Sequence, residues 1–198
     1  MKKSLIALAV LALSSASLTR ARTNDISYQY RMGAGFPGDV NRTHPFSVLP
    51  VLMTPTLANK VRLYGDPVLI DAANNAVRGY ITGDTATAVY GFLVRPYPTQ
   101  QTTGGMASAI GAAVPPDGPA VVDVLREGYM IARCNNFATL QPAKGGAVYV
   151  RIAATAGALI QGGLTSAADG ANTLLLTNVK WVGPTDSNGV TEIEMLAA

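Results

Sequence analysis

The sequence predicts a mainly β protein, an antiparallel β-sandwich or barrel of jelly-roll-like type, preceded by an extended N-terminal arm that contains a short helix. Three observations predict it. From residue 46 onward, short apolar runs rich in β-branched and aromatic residues recur between turn residues at fairly regular intervals. The 198 residues include 20 Gly and 12 Pro, a turn-rich composition, and the body shows no sustained helical period. Hydrophobic residues make up 48% and charged residues only 14% of the chain, against about 25% charged in an average soluble domain. That is enough apolar material for a core, too much for disorder, and too little surface charge for a solitary solute, so part of the body surface is expected to be buried in an assembly.

Charge is also unevenly placed. Residues 1–42 carry Lys2, Lys3, Arg20, Arg22, Arg31 and Arg42 against Asp25 and Asp39, whereas residues 43–198 hold nine basic and ten acidic side chains. The chain is therefore divided into a basic arm, 1–42, and a single β-rich body, 43–198, with a long Gly/Pro loop at 96–119. A basic arm on a near-neutral body points to an acidic partner surface for the arm, with nucleic acid as the second possibility.

The arm opens with Lys2-Lys3 and the apolar stretch Leu5 to Leu13. As a helix of about 14 residues the segment spans roughly 20 Å, too short for a bilayer; the same pattern matches the charged and apolar regions of a secretory signal, with Ser14 and Ala16 near a cleavage site. A polar linker follows, and Ile26 to Met32 alternates apolar and polar residues as a half-buried strand does. Gly33-Ala34-Gly35-Phe36-Pro37-Gly38 matches the dinucleotide fingerprint in letters only: Pro37 sits in the turn and no helix or βαβ unit follows. It reads as a glycine-rich loop needing positive φ or close backbone approach, with Phe36 as an apolar plug.

In the body, Phe46 to Met53 is a strand that Pro50 confines to an edge or a bulge. Val68 to Ile70 follows a Gly65-Asp66-Pro67 turn, and a similar entry, Gly145-Gly146, precedes Ala147 to Ile152. Arg78 to Ile81 and Ala88 to Val94 flank Thr82 to Thr85 as a hairpin-like pair. Val121 to Leu125, Tyr129 to Ala132, Thr173 to Leu176 and Val190 to Met195 complete about nine strands. The loop at 96–119 has the length of a contact loop or a mobile excursion, with one helical turn at Met106 to Ile110.

Chemistry-bearing constellations are sparse. His44 and Cys134 are each single in the chain, which excludes the usual zinc frameworks and leaves no nucleophile pairing with sequence support. Cys134 reads as a small core residue at a strand end. Asp66, Asp84 and Asp186 stand beside Gly, Pro or Asn in turn positions, where carboxylates bond the local backbone. Asp186-Ser187-Asn188-Gly189 lacks the further ligands of a calcium loop. The body lacks the clustered basic and aromatic stripe of a single-strand nucleic-acid binder.

Arg31-Met32-Gly33-Ala34-Gly35-Phe36-Pro37-Gly38-Asp39-Val40-Asn41-Arg42 resembles the N-terminal signature of tailed-bacteriophage structural cement (capsid decoration) proteins. Further likenesses are Val94 to Pro98, Asp123 to Tyr129, Lys144 to Arg151 and Ala168 to Thr173. The resemblance runs from about residue 27 to the C-terminus and leaves out the apolar segment before it. It implies a non-enzymatic virion protein on the outer capsid surface, assembled in the host bacterial cytoplasm, where export would serve nothing. Its implied partners are the major capsid protein and further copies of itself, as a dimer or trimer on the lattice. No cofactor, metal, small-molecule substrate, specific nucleic acid or membrane is expected. On that reading Leu5, Leu8 and Leu11 supply apolar burial, Arg20, Arg22, Arg31 and Arg42 supply orientation, and Tyr28, Tyr30 and Phe36 are aromatic anchors. The alternative from another class is an exported bacterial β-sandwich, a surface or carbohydrate-binding subunit with a removed signal peptide.

Overall fold

Nine strands are found among the residues that the computed structural model describes, 35–42, 46–54, 56, 58–96 and 114–196, all within the unit from Ala34 to Ala198. The expected helix and strand before residue 33, His44 and the centre of the 96–119 loop lie outside them. The strands are β1 (Ser47–Met53), β2 (Pro67–Asp71), β3 (Ala76–Arg78), β4 (Gly91–Leu93), β5 (Ala120–Arg133), β6 (Ala147–Arg151), β7 (Leu164–Thr165), β8 (Thr173–Trp181) and β9 (Val190–Met195).

They form two sheets that share β5. In the first, β1-β3-β2-β4-β5 closes into a ring because the front half of β5 pairs with β4 on one side and β1 on the other. Every pairing in it is antiparallel except β1 with β3, parallel at Met53 and Val77. In the second, the back half of β5 continues the antiparallel order β5-β9-β8-β6-β7. A parallel bridge between Cys134 and Leu164, with the Asn135 amide donating to the Leu164 carbonyl at 2.8 Å, brings β7 back to the end of β5.

Sequence explains why the sheets stack. β2, β4 and β5 each carry consecutive apolar residues, the mark of a strand buried on both faces. Val68, Leu93 and Val124 fill the ring interior with Met53, Val61, Tyr64, Val77 and Val122. Their neighbours Leu69, Phe92 and Leu125 point the other way, into a larger core with Met130, Val148, Leu176, Trp181 and Ile193 of the second sheet. β9 shows the simpler alternation, with Ile193 and Met195 buried and Glu192 and Glu194 half-buried.

Pro50 sits where the sequence puts it, on an edge: β1 pairs with β5 along its length but with β3 only at Met53. Two expectations are corrected. The segments Arg78 to Ile81 and Ala88 to Val94 do not form a hairpin, because β2 lies between β3 and β4. Asp84 is the reason: both its oxygens bind the Arg78 guanidinium at 2.8 Å and one accepts the Ile81 amide, closing a turn on itself. Residues 87–89 lie instead along β8, with Thr177 donating to the Thr87 carbonyl at 3.0 Å and the Asn178 side chain bonding both the amide and the carbonyl of Val89. The runs Val121 to Leu125 and Tyr129 to Ala132 are likewise one strand, β5. Arg126, between them, lays its guanidinium 3.8 Å from the centre of the Tyr90 ring.

The glycine-rich segment is stitched to the edge of β5 that β9 leaves open. Gly38 donates to the Ile131 carbonyl at 2.8 Å, Ile131 donates to the Asp39 carbonyl at 2.9 Å, and Arg95 donates to the Gly38 carbonyl at 2.9 Å. Gly65 packs directly against this segment and donates to the Leu93 carbonyl at 2.8 Å. Gly38 and Gly65 have φ of +92° and +81°. A Cβ on Gly65 would lie 2.8 Å from the Gly38 nitrogen and 3.0 Å from the Ile131 oxygen; one on Gly38 would lie 2.6 Å from the Tyr64 Cβ. Both positions therefore require glycine twice over, for conformation and for space.

Gly65→Ala is expected to lower unfolding free energy by about 2–4 kcal/mol, combining backbone strain with overpacking. Gly118→Ala, where a Cβ meets nothing within 4 Å, should change it by less than about 0.5 kcal/mol; urea unfolding of the two variants measures the difference.

Candidate functional site

The root of the arm, residues 36–42, and the cleft beside it gather the surface features most suited to recognition. The turn at 36–39 is closed by Asp39, whose amide donates to the Phe36 carbonyl at 3.1 Å and whose carboxylate accepts the Phe36 amide at 3.3 Å. That closure turns the Phe36 side chain outward. It is 45% exposed, with the Arg95 guanidinium 4.9 Å from its ring centre, so the expected apolar plug is instead a surface aromatic under a cation.

Arg42 is held by the body. Its Nε and Nη2 reach Glu192 Oε1 and Oε2 at 2.7 and 2.5 Å, and its guanidinium lies 4.2 Å from the Tyr129 ring centre. Tyr129 in turn donates to Glu194 at 2.7 Å. The bidentate fork fixes a direction as well as a distance, so this arginine fastens the arm root to β9 and β5. Leu5, Leu8, Leu11, Arg20, Arg22, Tyr28, Tyr30 and Arg31 lie outside the described residues.

A cleft of about 350 Å³ opens beside the root, lined by Phe36, Pro37, Leu63, Arg95, Arg133, Asn188 and Val190. These residues come from the arm root, the segment before β2, the end of β4, the end of β5 and the turn before β9. Close by lies Asp66, fully buried, which accepts the Leu63 amide at 3.0 Å. Burial pushes its carboxyl up to about 8 against the opposing pull of that amide and of the Arg133 charge. A second surface feature is the cross-strand pair Leu52 and Val121 on the outside of the ring, with Val121 74% exposed.

Among the described residues no three His, Cys, Asp or Glu side chains are placed to share a metal ion. Asp84 and Asp186 bind local backbone as turn formers, the latter accepting the Asn188 and Val190 amides at 2.9 Å each. Cys134 is buried at the end of β5, donates to Asn136 Oδ1 at 3.1 Å, and has its thiol pushed up by burial, which makes it inert at neutral pH. Neither the cleft as a whole nor the Leu52 and Val121 pair is anticipated by sequence; of the segments quoted for the resemblance, Arg31 to Arg42 lines the cleft through Phe36 and Pro37, and Val94 to Pro98 through Arg95.

The family model described as XM1 gp53 minor capsid protein matches residues 26–195. The chain belongs to that family. The match takes in the alternating segment at 26–32, the arm root and the whole described body, and leaves out the apolar stretch Leu5 to Leu13. A chain from the solved capsid of Myoviridae phage XM1 shares the fold, with a TM-score of 0.57 over 86% of this chain and 95% of that one, at 15% identity. No curated protein matches the sequence. The chain is thus a capsid-associated structural protein of a tailed phage, located in the virion capsid.

Asp66 links folding to pH. The folded state holds the proton more tightly than the unfolded chain, so this group's contribution is present below pH 4 and is lost as pH rises from about 4 to about 8. Asp66→Asn should therefore gain stability relative to the parent protein between pH 5 and pH 9, read as the change in the difference of their urea midpoints. For Arg42→Ala the expected cost is at most about 1 kcal/mol, as befits a half-exposed pair. Hydrogen exchange at residues 36–42 should nonetheless speed up while β5 and β8 amides are unaffected.

Proposed function

We propose that this protein is a structural cement protein of a tailed-phage capsid, bound to the outside of the major capsid protein lattice and reinforcing it against internal DNA pressure. The observation that carries the reading is the docked arm root: Gly38 and Asp39 are hydrogen-bonded into β5 and Arg42 is ion-paired to Glu192, so a basic arm leaves the body from a fixed point. Membership of a minor capsid protein family supplies the setting.

The work is mechanical. A protein that buries surface across several capsomers stabilises the assembled lattice because it binds that state and not the separated one. The Leu5, Leu8 and Leu11 stretch contributes apolar burial at about 25 cal/mol per Å², and Arg20, Arg22 and Arg31 orient the arm on an acidic face. Tyr28, Tyr30 and Phe36 are the aromatic contacts; Phe36 already stands exposed at the root. Copies of the body meet one another on the lattice through neutral and apolar surface such as Leu52 and Val121.

Deleting residues 1–24 should reduce occupancy on capsids at least tenfold in a co-sedimentation assay, while the thermal melt of the remaining chain stays that of the parent protein. Occupancy unchanged by the deletion would remove the docking role from the arm. Capsids saturated with the parent protein should also resist heat-induced opening better than capsids without it.

A further inference from the structure

The cleft beside the arm root combines features that neither family membership nor the arm accounts for. Arg133, at the end of β5, is exposed and forms no ion pair among the described residues. The carboxyl that feels its charge, Asp66, is buried under the segment before β2 and forms no ion pair with Arg133. Around Arg133 the walls are apolar: Leu63, Val190, Pro37 and the face of Phe36, which Arg95 covers. Asn188 adds an amide from the turn before β9, a turn braced by Asp186. A cation on a strand end, an amide and an apolar floor in about 350 Å³ match a carboxylate flanked by an apolar side chain.

We propose that this cleft is a docking site for an acidic segment of the capsid shell, in which an Asp or Glu carboxylate pairs with Arg133 and the adjoining apolar side chain lies against Leu63 and Phe36. The choice of occupant rests on charge complementarity and on the reading of the chain as an outer capsid protein. Placed beside the docked root, the cleft anchors the body independently of the arm, so that arm and body engage the shell at two linked points and binding at one raises the effective concentration of the other.

The test uses the full-length protein and capsids of its own phage lacking it, with bound fraction read by co-sedimentation at low and moderate salt. Arg133→Glu should weaken binding about tenfold or more at low salt and flatten the salt dependence. Arg133→Lys should bind within about threefold of the parent protein, Phe36→Ala should weaken binding without altering the salt dependence, and Arg62→Glu, an exposed charge outside the cleft, should leave binding unchanged. Melting curves confirm that each variant is folded. Arg133→Glu binding as well as the parent, while the parent itself binds, overturns the cleft and spares the cement reading. Failure of the parent to bind overturns both. If Arg133→Glu instead abolishes self-association of the isolated protein in sedimentation velocity, the occupant is a second copy and the capsid assignment is wrong. Displacement of the parent but not of Arg133→Glu by short double-stranded DNA would likewise overturn it in favour of a phosphate ligand.

Discussion

At Gly38 and Gly65 two backbones approach more closely than any side chain permits, and three parts of the molecule meet there. Gly38 belongs to the arm root, Gly65 opens β2, and both lie against Ile131 of β5. Both amides and the Gly38 carbonyl are answered at this crowded point: the Gly38 amide by the Ile131 carbonyl, the Gly38 carbonyl by the Arg95 amide and the Gly65 amide by the Leu93 carbonyl. Leaving such groups unpaired would cost about 1–3 kcal/mol each, so close packing and bonding pattern stand or fall together. The position of Phe36, the cleft beside it and the fork of Arg42 all follow from where this contact fixes the chain.

β5 is the spine that this contact leans on. Its front half closes the ring and its back half opens the second sheet; at Arg126, Glu127 and Gly128, where the register with β1 shifts and Gly128 has φ of +118°, the alternation changes parity, so that Leu125 before and Met130 and Ala132 after all join the larger core. Stacking the ring's wall on the second sheet places Leu69, Phe92 and Leu125 where they are apolar to both sides. A strand used this way transmits displacement directly, since a close-packed interior has no slack to absorb it. Load applied at the arm root is therefore borne by both sheets together.

How much of this was legible in the sequence depends on range. β9 and β6 were read within a residue, because alternation along Val190 to Met195 and the β-branched content of Ala147 to Ile152 are local signals. The docked turn was half legible: its glycines announced positive φ, but nothing local said that Asp39 would close it and expel Phe36. β5 was read as two pieces because a charged pair followed by glycine ordinarily marks a turn; here Arg126 finds an aromatic face supplied by Tyr90, thirty-six positions away in sequence. The hairpin assigned across Thr82 failed for the same reason, since β2 enters between β3 and β4 from outside the segment. β7, two residues long, exists only through its partners in β6 and at Cys134. The cleft draws on five separate stretches of chain, so no pattern within any one of them could reveal it.

Pro50 has a consequence for how copies of the protein meet. Ring closure, the Cys134 bridge and the stitched segment at Gly38 and Asp39 cover strand edges throughout the described body, leaving the outer side of β1 as the long open one. Proline lies in the middle of it, so that edge cannot present an unbroken row of donors to another strand. Association by strand addition through that one edge would pair β1 with β1 of a second copy, an isologous contact. With that route blocked, a turn-rich chain poor in surface charge is kept from pairing its sheets edge to edge.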